Sequence, residues 1–397
     1  MKWLVFTVFL FCHFHGNSAD DPEINMNVSQ IIRHWGYPVE EYDVTTSDGY
    51  ILTIQRIPHG RNEKRSAGKR PVVFLQHGLL GSSSQWITNL PNQALGFVLA
   101  DRGFDVWLGN SRGNVYGLRN TRYTTNTDEF WDFSFDEFAK YDLPASLEFA
   151  LNCSRVSRLS YIGHSQGTTL AFAAFSQNQT LASKVIIFIA LAPVVSVANM
   201  KSPIKYFSYL SGGIQWLSWL FGVRDFLPSS FVTRSLARYV CEDDLGSEWC
   251  TNIMFVLCGY DKAQLNETRL PVYLAHTPAG TSVKDVAHFA QMYRSGKFQM
   301  YDYGWRYKNR LRYGQSTPIE YDVSNIRVPV ALFSAQNDRL ATPQDVALLV
   351  PKLNKTLVYQ KKIKSWDHLD FIWGMDAERL IYKDIQHLLK KYHHRSV

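Results

Sequence analysis

Between residues 71 and 193 the chain alternates short, almost unbroken apolar runs with stretches of helical spacing. "PVVFLQ" (71–76), "FDVWLG" (104–109), "RLSYIG" (158–163) and "KVIIFIALAP" (184–193) have the density of β-branched and aromatic residues expected of strands buried on both faces. "ALGFVLADRG" (94–103), "FDEFAKYDLPASLEFAL" (135–151) and "QGTTLAFAAFSQN" (166–178) separate them with helical patterns. Pro144 marks a kink or a fresh start within the second of these helices. A strand–helix rhythm of this kind dictates an α/β fold with a mostly parallel central sheet covered on both faces.

The rhythm stops near residue 196 and resumes with "VPVALFSAQND" (328–338), ending in a helix over "DAERLIYKDIQHLLKKY" (376–392). The 397 residues are therefore read as a signal segment (1–19), a first part of the core (20–195), an inserted and largely helical cap with a lid (196–325), and a second part of the core (326–397). The insert is rich in Trp, Tyr, Phe and Leu, most densely in "YFSYLSGGIQWLSWLFGV". Most of these side chains are expected to form the insert's own core. The rest are expected to present an apolar inner face to lipid.

The first residues, "MKWLVFTVFLFCHFHGNSA", combine one Lys, a short apolar run and small residues, the pattern of a secretory signal peptide. No later segment reaches the 18 or so continuous apolar residues of a membrane span. Five N-x-S/T sequons, at Asn27, Asn152, Asn178, Asn266 and Asn354, agree with passage through the secretory pathway, to the lysosomal lumen or the extracellular space. Of the five cysteines, Cys12 leaves with the signal segment, and spacing favours a Cys241–Cys250 disulfide among three possible full pairings of the rest. The net charge of +7 is modest for the length, and no stripe of Arg and Lys interleaved with exposed aromatics along a helix is expected. Nucleic acid is excluded as a partner on that ground. No metal-ligand motif or phosphate loop occurs, so neither metal nor cofactor is expected; "GNSRGN" (109–114) only superficially resembles such a loop.

"GHSQG" (163–167) lies where a strand gives way to a helix, the setting in which G-x-S-x-G becomes a nucleophile elbow. Gly163 and Gly167 keep side chains out of the crowded turn, and Ser165 is the candidate nucleophile. A serine hydroxyl needs a base, and the base an orienting acid, in the chain order Ser, Asp or Glu, His. Asp338, in the turn after "VALFSA", fits the acid; Asp345 sits inside the next helix, and Asp367 is too close in sequence to the histidine. His368, in "SWDHLDFIWG", is the candidate base. His387, His393 and His394 belong to or follow the last helix, and His164 packs the elbow. The backbone N–H groups of Gln166 and Leu79 are the candidate oxyanion donors.

The stretches "HWGYPVEEYDVTTSDGYIL", "VVFLQHGLLGSSSQWI", "GFDVWLGNSRGN", "AKYDLPAS", "YIGHSQGTT", "HTPAGTSV" and "DHLDFIWG" together resemble the acid lipases, a family that includes gastric and lysosomal enzymes. The resemblance implies an α/β-hydrolase core under a helical cap and lid. It also implies hydrolysis of triacylglycerols or cholesteryl esters at acidic pH, at a lipid–water interface, without cofactor or obligatory protein partner. It places nucleophile, acid and base on Ser165, Asp338 and His368, the oxyanion donors on Leu79 and Gln166, and a cap disulfide on Cys241–Cys250 with Cys258 free. Residues 114–127 and Cys153 depart from the pattern. Two other readings remain open: a non-catalytic lipid-binding protein on the same fold, and an esterase for small soluble esters.

Overall fold

A computed structural model of the chain describes residues 21–63, 69–206, 208, 224–227, 252 and 254–394. The signal segment, Cys241, Cys250 and most of the aromatic patch at 206–223 lie outside the described residues.

A nine-stranded sheet organises the molecule. Its strands are β1 (Glu40–Thr45), β2 (Tyr50–Ile57), β3 (Val72–Gln76), β4 (Asp105–Gly109), β5 (Arg119–Asn120), β6 (Leu159–His164), β7 (Val185–Leu191), β10 (Val330–Ala335) and β11 (Leu357–Ile363). The spatial order is β1-β2-β4-β3-β6-β7-β10-β11, with the short β5 paired to β2. From β4 to β11 every neighbouring pair is parallel, whereas β1, β2 and β5 add an antiparallel margin. Every residue of β3, β4, β6, β7 and β10 is buried, as strands covered on both faces require. The edge strands β1 and β11 instead alternate along their length.

The expected helices form over Leu95–Asp101 and Gln166–Gln177. Around Pro144 the chain neither breaks nor restarts. It runs from an α-turn at Phe135–Glu137 through a π-turn at Phe138–Asp142 into the helix Leu143–Ser154. Proline has no N–H and its ring crowds the carbonyl one turn back, and the wider π-turn accommodates both demands.

Between β7 and β10 the chain leaves the sheet. Its described part there is mainly helical, over Leu270–His276, Val283–Ser295 and Arg306–Tyr313. The helical expectation needs one addition, a two-stranded ribbon of β8 (Asp225–Phe226) and β9 (Thr281–Ser282). A second expectation fails outright. Arg306–Tyr313 is a helix in which Arg306, Lys308, Arg310 and Arg312 alternate with exposed Tyr307 and Leu311, preceded by exposed Trp305. Such a basic and aromatic helix was expected to be absent. In sequence its two-residue charge period hides the helical face.

Candidate active site

Four loops leave the carboxyl ends of β3, β6, β10 and β11 and meet above the sheet. β3 connects onward to one side and β6 to the other, which opens a crevice at the point where parallel sheets bind their ligands. Ser165 follows β6 with φ 53° and ψ −119°, a conformation forbidden to most L-residues, and its N–H is held by Leu191 O at 3.0 Å. The glycines make the elbow possible. A Cβ on Gly163 would stand 2.6 Å from the backbone of Gly167, and one on Gly167 would run into the carbonyl oxygen of Gln76.

Ser165 Oγ donates to His368 Nε2 at 2.8 Å, and His368 Nδ1–H donates to Asp338 Oδ2 at 2.8 Å. Asp338 and His368 are buried, and Asp338 Oδ1 accepts the N–H groups of Leu340 and Ala341, each at 2.8 Å. These bonds fix both oxygens of the carboxylate, and with them the tautomer and tilt of the imidazole. The discarded alternatives are occupied elsewhere. Asp345 takes the hydroxyls of Ser196 and Thr342, and Asp367 Oδ1 takes the N–H of Leu369. Asp370 accepts the N–H of Asp367 at 2.6 Å, and burial raises both carboxyls far above the usual carboxylate range.

Gln166 is the first residue of its helix, so its N–H has no partner within that helix. Leu79 lies in a turn closed by Gly81 N–H donating to Gly78 O at 3.0 Å, which leaves the Leu79 N–H unused by the turn. Leu80 carries the positive φ, 60°, that this turn demands of its third residue. A Cβ on Gly78 would lie 3.0 Å from Ser165 Cβ, a contact so tight that the serine or the loop would have to give way by a few tenths of an ångström.

Several residues that sequence reasoning assigned no role brace these loops. His77 donates from Nδ1 to Gly78 O at 2.8 Å and accepts the Ser111 N–H at Nε2, and burial lowers it to about 4. The "GNSRGN" segment is thus an internal clamp. Arg112, buried in it, binds Asp142 and Asp48 and stacks over Tyr50 at 3.8 Å. His164 does pack the elbow, and it also donates from Nε2 to His368 O at 2.9 Å. Burial holds it neutral, with a pKa well below the ordinary histidine value.

Gln166 Nε2 donates to Asp285 Oδ2 at 2.7 Å, which Thr281 Oγ1 also approaches at 2.9 Å. This contact joins the elbow helix to the helix Val283–Ser295. Burial lifts Asp285 from 3.8 to about 7. An acid raised in this way stabilises the fold fully below the unfolded value and loses that contribution as pH rises through the folded one. Asp285→Asn, neutral at every pH, is therefore expected to match the parent near pH 4. It should exceed the parent's stability by on the order of 4 kcal/mol at about pH 8. Thermal melts of both proteins across that range check it; a difference independent of pH would contradict it.

Ser165, His368 and Leu79 open onto a cavity of about 400 Å³ whose walls include Leu80, Val194, Ile372 and Trp373. That volume lies in the range of small-ligand sites, and the walls offer an acyl chain almost nothing but carbon. Cys258 also reaches the cavity, and burial raises its thiol. Cys153 and Cys258 are unbridged among the described residues.

Comparison with known proteins points the same way. The family model described as alpha/beta hydrolase fold matches residues 71–375, and that of a partial alpha/beta-hydrolase lipase region matches residues 28–90. The chain is 52% identical to gastric triacylglycerol lipase of Rattus norvegicus over 365 residues, 92% of each protein. It is 48% identical to lysosomal acid lipase/cholesteryl ester hydrolase of Homo sapiens over 375 residues, 94% of this chain and 93% of that one. A monoglyceride lipase structure from Saccharomyces cerevisiae shares the fold, with a TM-score of 0.52 at 15% identity over 90% of this chain and 96% of that one. The chain belongs to the acid-lipase family of carboxylic ester hydrolases, within the α/β-hydrolase fold.

Proposed function

We propose that the protein is a serine lipase that cleaves carboxylic esters of neutral lipids, triacylglycerols or cholesteryl esters, through an acyl-enzyme. The observation that carries this reading is the relay of Ser165, His368 and Asp338 opening into an apolar cavity. Ser165 Oγ attacks the ester carbonyl while His368 Nε2 takes its proton, and the N–H groups of Gln166 and Leu79 receive the oxyanion. Collapse expels the alcohol, protonated by His368, and leaves the acyl group on Ser165. Water, deprotonated by His368, then releases the fatty acid and restores the hydroxyl.

The gastric and lysosomal relatives support a place in the secretory pathway, in the lysosomal lumen or outside the cell. No helix among the described residues is long and apolar enough to cross a membrane. Asn27, Asn152, Asn178 and Asn354 are exposed and Asn266 is half-buried, which supports glycan attachment. A disulfide between Cys241 and Cys250, and a cap with a lid over residues 196–325, belong to the same proposal.

The test is hydrolysis of emulsified triolein and cholesteryl oleate beside soluble p-nitrophenyl butyrate, from about pH 4 to about pH 8. Turnover of a long-chain emulsion on the acidic side is the expected result. Turnover of the soluble ester alone would make the protein a small-ester esterase. Lipid binding without turnover would make it a carrier.

A further inference from the structure

The helix Arg306–Tyr313 presents a surface that the catalytic reading leaves unused. Asn309 anchors it, buried and bonded to Asp302 Oδ1 at 2.8 Å, while its own Oδ1 accepts the N–H of Tyr303 at 3.0 Å. At 100° per residue, Tyr307 and Leu311 each lie two residues from Asn309 and so fall on the opposite, outward face. Both are 71% exposed, as is Trp305 at the helix entrance. Arg306 and Arg310 flank the Tyr307–Leu311 ridge on one side, and Lys308 and Arg312 flank it on the other. Arg312 meets Glu137 at 3.4 Å, whereas Arg306, Lys308 and Arg310 have no carboxylate partner among the described residues. The helix itself carries no acid.

An outward apolar ridge in a frame of cations has the composition of a helix that lies in a lipid interface, with Trp and Tyr at headgroup level and Arg and Lys among anionic headgroups. Its position suits that role. Gln291 Nε2 bonds Asp302 O at 2.7 Å, fastening the segment before this helix to the helix Val283–Ser295. Val286, Phe289 and Tyr293 on that same helix line the catalytic cavity. We propose that Trp305, Tyr307 and Leu311, with Arg306, Lys308 and Arg310, form a docking surface for an anionic phospholipid interface. This surface holds the enzyme on a charged lipid particle through a segment bonded to a helix of the cavity wall. The proposal rests on the lipase reading for its purpose, but its chemistry is independent of turnover. Leu311 offers nothing for a base to stack on, so lipid is favoured over nucleic acid.

The experiment measures binding of the full mature protein to vesicles of phosphatidylcholine alone and with about a third phosphatidylserine, at low and high salt. The parent is compared with Trp305→Ala/Leu311→Ser and with Arg306→Glu/Lys308→Glu. The parent should prefer the anionic vesicles and lose that preference in high salt. Each double variant should bind them at least about tenfold more weakly while melting as the parent does. Hydrolysis of soluble p-nitrophenyl butyrate should be unchanged in both. Undiminished binding by the variants, or equal and salt-insensitive binding to both vesicle types, would overturn the proposal. So would a Trp305-dependent dimer, or Arg306-dependent binding to an oligonucleotide in place of vesicles. Loss of all ester hydrolysis in the parent alongside intact vesicle binding would instead sink the lipase reading and leave the surface standing.

Discussion

Ser165→Ala is expected to lower ester hydrolysis by about 10⁵-fold while leaving the thermal melt within a degree or two of the parent's. The hydroxyl is the only group whose removal deletes the attacking atom without disturbing its surroundings. The backbone of residue 165 is held by its N–H to Leu191 O and by its carbonyl, which accepts from Thr168 N–H at 2.8 Å, and alanine keeps both bonds. Residual rate would come from the oxyanion donors and from binding alone. Rates on p-nitrophenyl butyrate and on emulsified triolein should fall together, because both substrates need the same nucleophile. A variant that lost only emulsion activity would show Ser165 acting in lipid binding and not in chemistry.

Asp338→Asn is expected to cost about 10⁴-fold in kcat with little change in KM. The reason lies in the two N–H groups, from Leu340 and Ala341, that point at Oδ1. They bind the amide oxygen of asparagine at that position and so turn its NH₂ toward His368. The ring nitrogen that formerly donated to Asp338 must now accept, and Nε2 carries the proton it should be ready to take from Ser165. A steady-state rate profile checks this: a large rise in KM with kcat preserved would show that Asp338 only shapes the cavity. Raising pH should not restore the lost rate, since the defect is one of tautomer and not of charge.

The parallel part of the sheet was legible because strands buried on both faces read as continuous apolar runs, and "VIIFIAL" has no other comfortable place to go. The candidate triad was legible for a related reason. Ser165, Asp338 and His368 each come soon after a strand, and parallel strands deliver their next residues to one edge of the sheet. The antiparallel margin was missed: β1 alternates in burial, and its pairing with β2 depends on a turn at Gly49, where φ is 101°. The supports of the site were hidden by distance. Gln166 meets Asp285 across 119 positions and His164 meets His368 across 204, and no local pattern announces either contact. The basic helix was not foreseen, because Arg306, Lys308, Arg310 and Arg312 repeat every two residues, a period that marks no helical face. Only the burial of Asn309 shows which way the helix faces.

The central claim is that Ser165 becomes covalently acylated while His368 and Asp338 serve it. The most direct test is treatment of the parent and of Ser165→Ala with a long-chain organophosphonate, then peptide mass mapping. The phosphonyl group should appear once, on the peptide carrying Ser165, in step with loss of activity, and not at all on the variant. Inactivation with the adduct on another residue, or with Ser165 unmodified, would contradict the mechanism.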